Sequence, residues 1–214
     1  MKQVDAAGAL GVSQPYLSQL ENGTRVGPSN LAQKAFALYK RPTVLPLPKS
    51  EQVGPVEPDY LEKQLAALGY PRFAHVRSDQ WRNPAEVVLS AVVQSQLDSR
   101  LVEALPWVIA KFPDMNWRWL RDNTKLRNAQ NRLGYVVHLA KEVADKVTPD
   151  ELNKEVLSAW EQELESARLA RETTLCWESM RAPQRRWMRD HRPAAAAHWN
   201  VLTTLTADQL HYAT

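Results

Sequence analysis

The chain has 214 residues, 44% hydrophobic and 24% charged, which is enough for a sizeable core, and its 7 Gly and 14 Pro exclude a collagen-like or Gly-rich linker chain. One cysteine, Cys176, excludes an internal disulfide framework and a cysteine-only zinc site; no apolar run reads as a signal peptide or spans a bilayer, so a cytoplasmic protein is expected. The net charge of +3 is uneven: Lys2, Arg25, Lys34, Lys40 and Arg41 outnumber Asp5 and Glu21 at the N-terminus, and Arg171, Arg181, Arg185, Arg186, Arg189 and Arg192 outnumber Glu172, Glu178 and Asp190 farther on. A basic N-terminal module suits phosphate contact.

Residues 2–23 read as two short helices around a tight turn. Ala6, Ala7 and Leu10 form a small apolar face, Gly11 permits the left-handed conformation that ends a helix, and Val12 plugs the turn. Ser13 suits the N-cap of a second helix, Leu17 and Leu20 give that helix an apolar face, and Gly23 stops it. Gln14, Tyr16, Ser18, Gln19 and Asn22 remain outward. A helix pair with a Gly-containing turn and a polar second helix is how a helix-turn-helix presents a recognition helix. Pro28 then opens a third helix carrying Leu31, Ala35, Phe36 and Leu38, ended by Arg41-Pro42.

Gln3, Ala7, Leu10, Gly11, Val12, Ser13, Leu17, Ser18, Glu21, Asn22, Gly23, Arg25, Pro28 and Leu31 stand at offsets that resemble the Cro/repressor-type helix-turn-helix, the xenobiotic-response-element group of bacterial regulators. Such domains begin with an additional helix, so the resemblance implies either a start upstream of Met1 or a domain with one core helix fewer, and a correspondingly less stable unit. On this reading residues 1–41 bind double-stranded operator DNA. Gln14, near a helix N-terminus, is placed to pair with adenine N6 and N7; Tyr16, Ser18 and Gln19 reach bases or phosphates; Gln3, Ser13, Asn22 and Arg25 complete the candidate DNA-binding set.

Residues 42–58 contain five prolines and read as an extended linker. Residues 59–214 read as an α-helical domain for dimerisation or partner binding, making the chain all-α. A short helix carries Tyr60, Leu61, Leu65 and Leu68 and ends at Gly69, and residues 70–82 look irregular. Asn83, Pro84 and Glu86 form a start signal before Val87, Val88, Ala91 and Val92. A helix over 98–112 contains Pro106, which should kink it if it continues unbroken. Residues 114–122 read as a short turn of helix. A long helix is expected from Thr124 to Lys146, with Leu133, Val137, Ala140, Ala144 and Val147 spaced four, three, four, three. Thr148-Pro149-Asp150-Glu151 opens the next, with Leu152, Val156, Trp160, Leu164 and Ala167 on one face; helices over 183–189 and 194–202 and a capping box at Thr206–Gln209 follow.

Few residues outside the N-terminal unit suggest chemistry. His75, His138, His191, His198 and His211 show no metal-ligand spacing, no carboxylate pair stands out, and there is no Gly-rich phosphate loop, so neither a cofactor nor a metal is expected and the chain does not read as an enzyme. His138, beside the long helix's apolar stripe, reads as a packed histidine, and Cys176, next to Trp177, as an inert core thiol. Trp187 and Trp117 are the expected exposed members of eight tryptophans. Arg185, Arg186, Trp187 and Arg189 form a candidate partner or anion contact.

Asn83–Val87, Leu105-Pro106-Trp107, Asn128–Gly134, Arg185-Arg186-Trp187 and Ala196–Asn200 resemble the helical part of regulators paired with abortive-infection-type nucleotidyltransferase toxins, while the transferase's own Gly-Ser and spaced aspartates are absent. Together the two resemblances imply a dimeric transcriptional regulator, the autorepressing antitoxin of a toxin–antitoxin pair with a cognate toxin as partner. A phage or chromosomal repressor without a toxin is the alternative, and a helical nucleic-acid enzyme a lesser one.

Overall fold

A computed structural model describes residues 2–210 apart from 23, 26, 40–41, 43–44, 79–80, 149 and 176. The architecture is all-α, with α1 (Gln3–Leu10), α2 (Gln14–Glu21), α3 (Ser29–Tyr39), α4 (Pro58–Ala67), α5 (Pro84–Val92), α6 (Ser99–Lys111), α7 (Trp117–Leu126), α8 (Gln130–Val147), α9 (Glu151–Glu165), α10 (Ala182–His191) and α11 (Ala194–His198). Two-residue strands β1 (Thr173–Thr174) and β2 (Val201–Leu202) pair in parallel, too short for period-two alternation to show in the sequence. No helix among the described residues is long and apolar enough to cross a membrane.

The first three helices enclose their own small core of Ala7, Leu10, Leu17 and Ala35, flanked by Ala6, Val12, Leu31 and Tyr39. Gly11 ends α1 in the left-handed region at φ 72°, and the Ser13 hydroxyl accepts the Tyr16 N–H at 3.4 Å to cap α2. Lys34 Nζ donates to the Leu10 carbonyl at 2.8 Å, placing a cation on an orphan acceptor at the end of α1. The expected face of α3 divides: Ala35 and Leu31 join the small core, Leu38 is 49% exposed, and Phe36 turns toward the bundle to meet the Trp81 ring at 3.7 Å between centroids, the planes inclined by 32°. The expected stops at Gly23 and Arg41, like the start signal at Pro149, lie outside the described residues.

The Pro-rich segment lies against the bundle. Val53 is buried and Leu47 and Val56 pack on the main core. Asn83 Nδ2 donates to the Leu45 carbonyl at 2.7 Å, and the Arg127 guanidinium donates to the Val53 carbonyl at 3.0 Å and to the Ser50 carbonyl. Residues 45–56 thus form a strap; their prolines remove amide donors, and side-chain donors from α5 and the end of α7 reach their carbonyls.

The main core is built around α8, whose residues Gln130–Val137 are all buried. It packs on α6, α7 and α9 and, at its other side, on α11 and both strands. The 4-3-4-3 stripe faces inward as expected, but α8 starts six residues later than expected, because Asn128 adopts a left-handed φ of 54° and separates it from α7. Asparagine is among the few residues that tolerate this conformation, so Asn128 acts as a helix stop. Residues 117–126 correspondingly form a full helix, capped by Asn116, whose Oδ1 accepts from the Trp119 N–H at 3.0 Å. The helix expected over 194–202 ends at His198; Asn200, at φ 52°, turns the chain into β2. Asn83 caps α5, which is buried on every side, and α6 continues through Pro106.

Buried polar groups attach the segment after α9. Asn131 exchanges two hydrogen bonds with the Leu169 backbone, each 2.8 Å. The Arg132 guanidinium, almost fully buried, reaches the Val92 carbonyl at 3.1 Å, the Gln94 carbonyl, Thr173 and the Glu178 carboxylate.

Two measurements test this packing. A methyl group at Gly134 would overlap the six-membered ring of Trp199. Gly134→Ala is expected to destabilise by about 1–3 kcal/mol, read by thermal denaturation, and by less when combined with Trp199→Leu. Arg127→Ala, which removes the guanidinium donors from the Ser50 and Val53 carbonyls, is expected to speed proteolytic cleavage between residues 45 and 56 while the bundle stays folded; unchanged cleavage would mean that the apolar contacts and the Asn83–Leu45 hydrogen bond hold the strap without it.

Candidate nucleic-acid interface

The outward residues of α2 divide into two flanks. At about 100° per residue, Gln14 and Ser18 lie roughly 40° apart, whereas Tyr16 lies some 160° from Ser18. On the first flank α1 crosses α2: the Gln14 amide donates to Gln3 Oε1, and Gln3 Nε2 donates to Glu21 Oε2 at 2.5 Å. Asn22 Nδ2 continues this edge to the Ser18 hydroxyl at 3.3 Å. On the second flank the Arg25 guanidinium lies 4.8 Å above the Tyr16 ring, and Arg25 and Thr24 bond through their backbone N–H groups to the Gln19 carbonyl.

Gln14, an exposed residue, gives one amide N–H to Gln3, and its carbonyl oxygen and second N–H have no hydrogen-bond partner among the described residues. That is the acceptor–donor pair that matches adenine N6 and N7. Gln3 fixes the plane of the Gln14 amide and is itself fixed by Glu21. Ser13 Oγ is used as an acceptor by the cap, which leaves its hydroxyl proton to donate. Gln19 and Arg25 are exposed, and Arg25 has its guanidinium held over an aromatic face, a geometry suited to phosphate. The structure thus brings Gln3 to Gln14 and Asn22 to Ser18 on one flank and Arg25 to Tyr16 on the other, and joins the two sets by no side-chain contact among the described residues. Glu21, which anchors the chain of amides, escaped sequence reasoning because nothing in its spacing ties it to Gln3.

The second basic cluster is organised differently. Arg189 grips Glu172 with two hydrogen bonds, Nε at 3.0 Å and Nη2 at 2.8 Å, and Arg192 lies 3.5 Å from the same carboxylate. Arg185 donates to the Met180 carbonyl at 3.1 Å and the Glu178 carbonyl at 2.7 Å. Arg185 and Arg189 thus attach α10, while Arg186 and Trp187 point outward, with Trp187 53% exposed and stacked on His191. Trp117, expected at the surface, is buried, stacked on Trp160 at 4.4 Å and donating Nε1–H to Glu163 at 2.9 Å. A carboxylate partner on a neighbouring helix satisfies its indole, which no local pattern revealed. Trp177, 59% exposed, takes its place at the surface.

An open groove of about 300 Å³ beside α10 is lined by Val102, Trp177, Met180, Met188, Leu202 and Leu205. Glu103 at its edge is paired with Arg72 at 2.5 Å. His138 sits on Glu161 at 2.8 Å and His198 on Glu165 at 2.6 Å, so both imidazoles have structural partners. Among the described residues no group of three or more His, Cys, Asp or Glu could hold a metal ion. Cys176 and His211 lie outside the described residues. No protein-family model matches the chain, and neither a curated protein nor a solved structure matches it.

The hydrogen bond from Arg189 holds the Glu172 carboxyl below its ordinary value of 4.5, with Arg192 and Arg185 adding to the effect against partial burial. A depressed folded value means that the stabilisation is complete above the ordinary value and is lost as pH falls through the depressed one. The attachment of α10 should therefore loosen below pH 4.5, read by tryptophan fluorescence during acid titration, and this step should be missing in Glu172→Gln.

Proposed function

We propose that the chain is a sequence-specific DNA-binding transcriptional regulator of the Cro/repressor helix-turn-helix type. The observation that carries this reading is Gln14 at the start of an exposed, capped helix, its amide oriented by Gln3 and its adenine-matching atoms left free. Reading by a pre-oriented amide loses less side-chain freedom on binding than reading by a free one. α2 lies in the major groove, Gln14 and Ser18 toward base edges, and Tyr16, Gln19, Asn22 and Arg25 toward bases and phosphates, with Gln3 and Ser13 supporting the approach.

One short helix reads few bases, so the regulator acts as a homodimer on half-sites about 34 Å apart or a multiple of that. In the fuller form of this reading it is a cytoplasmic antitoxin that represses its own promoter and binds a toxin through the bundle. Support for that part comes from the resemblance of the bundle's short sequence words to antitoxins of nucleotidyltransferase toxins. Copurification with the product of the adjacent gene tests it; a neighbour that is not a toxin leaves the repressor without a toxin partner.

In gel shifts on the upstream promoter, Gln14→Ala should weaken operator binding by about 1–3 kcal/mol while random-duplex binding changes little, and Gln3→Ala should act in the same direction. Arg25→Ala should weaken both alike and lower the salt slope by about 0.9. If none of these substitutions changes binding to any duplex, the DNA-binding reading fails.

A further inference from the structure

Helix α10 is built inside out. Its ten residues include none that is buried, and a helix of that length is marginal in water without support. Charged side chains supply its support: Arg185 reaches the 178–180 backbone, and Arg189, joined by Arg192 just past the helix, holds Glu172. The aromatic side chain, which would gain most from burial, faces water instead. Trp187 is 53% exposed, and its ring lies 4.2 Å from the His191 imidazole at an interplanar angle of 13°. His191 Nδ1 donates to the Trp187 carbonyl at 2.8 Å, which fixes the imidazole in this stack. Among the described residues neither Arg186, exposed next to Trp187, nor Arg181, exposed at the head of the helix, makes an ion pair; Asp190 is the one carboxylate of α10.

We propose that the outward face of α10 is a binding site for single-stranded nucleic acid, with a base stacked on the Trp187 indole and phosphates on Arg186 and Arg181. A pre-ordered aromatic pair beside unpaired guanidinium groups is the combination such strands use: every base has a π face, and every linkage carries a negative charge. An acidic polypeptide would pair with the arginines but gain nothing from the indole face. The site is separate from the α2 surface. The N-terminal helices join the bundle near the start of α5, through Phe36–Trp81 and Asn83–Leu45, whereas the segment bearing α10 is tied through Arg132 to the carbonyl of Val92 at the other end of α5. Nine helical residues, about 13.5 Å, separate those two attachments. The inference does not depend on the operator reading, since the two surfaces share no residue.

The test is binding of a short fluorescent oligothymidylate to the full chain as salt is varied. Trp187→Ala should weaken binding about tenfold, and Trp187→Phe should retain most of it because a stacking ring remains. Arg186→Ala and Arg181→Ala should each lower the salt slope by about 0.7. The substituted side chains are exposed, and circular dichroism confirms the fold of each variant. The proposal is overturned if oligothymidylate does not bind, if an abasic strand of equal length binds as tightly, if Trp187→Ala leaves binding unchanged, or if polyglutamate competes as well as the oligonucleotide. Loss of oligothymidylate binding in Arg25→Ala with retention in Trp187→Ala would overturn it too, assigning the binding to the N-terminal unit. Failure of duplex binding with oligothymidylate binding intact would count against the operator reading alone.

Discussion

The bundle depends on the all-round burial of the first half of α8, Gln130–Val137. A helix surrounded on every side needs a neighbour for each face, and α6, α7, α9, α11 and the two short strands supply them. The tightest contact falls at Gly134, where the missing side chain admits the ring of the fully buried Trp199. That contact locates α11 and β2, and through β1 and β2 it locates the chain on either side of α10. Close packing of this kind leaves a helix little freedom to shift, because interiors are as dense as organic crystals.

Polar groups on the first turn of the same helix set the next level of order. Asn131 holds the Leu169 backbone, and Arg132 joins the end of α5 to Glu178. A buried guanidinium without these acceptors would be strongly destabilising, so the post-α9 segment and the end of α5 are held in one arrangement. The consequence for α10 is unusual: it is attached by arginines at its inner side and leaves its tryptophan outside. The N-terminal unit, by contrast, encloses a small core of its own and, among the described residues, meets the bundle through the Phe36–Trp81 ring contact and the strap.

The exposed face of α2 was legible from residue types alone, because Gly11, Ser13, Leu17 and the polar positions each report a local requirement of backbone or burial. The two-flank division follows from helical geometry. What holds Gln14 did not follow: Gln3 and Glu21 reach it only because α1 crosses α2 at a particular angle, and no spacing encodes that crossing. In the basic cluster the sequence showed four candidate residues but not their roles. Arg185 and Arg189 face carboxylate and carbonyl groups from elsewhere in the chain, and Arg186 and Trp187 face solvent.

Sequence alone determined the all-α class, the caps at Ser13 and Asn83, the inward stripe of α8 and the composition of the strap, since each depends on residues within a few positions of one another. Tertiary structure decided the burial of Trp117, the exposure of Trp177 and the attachment of the Pro-rich segment to the bundle. The placements of Trp117 and of the strap depend on partners far along the chain: the Glu163 carboxylate for an indole, or the Arg127 guanidinium for the Ser50 and Val53 carbonyls. A polar group's position is set by where its hydrogen-bond partner lies, and that partner is brought near only when the chain has folded.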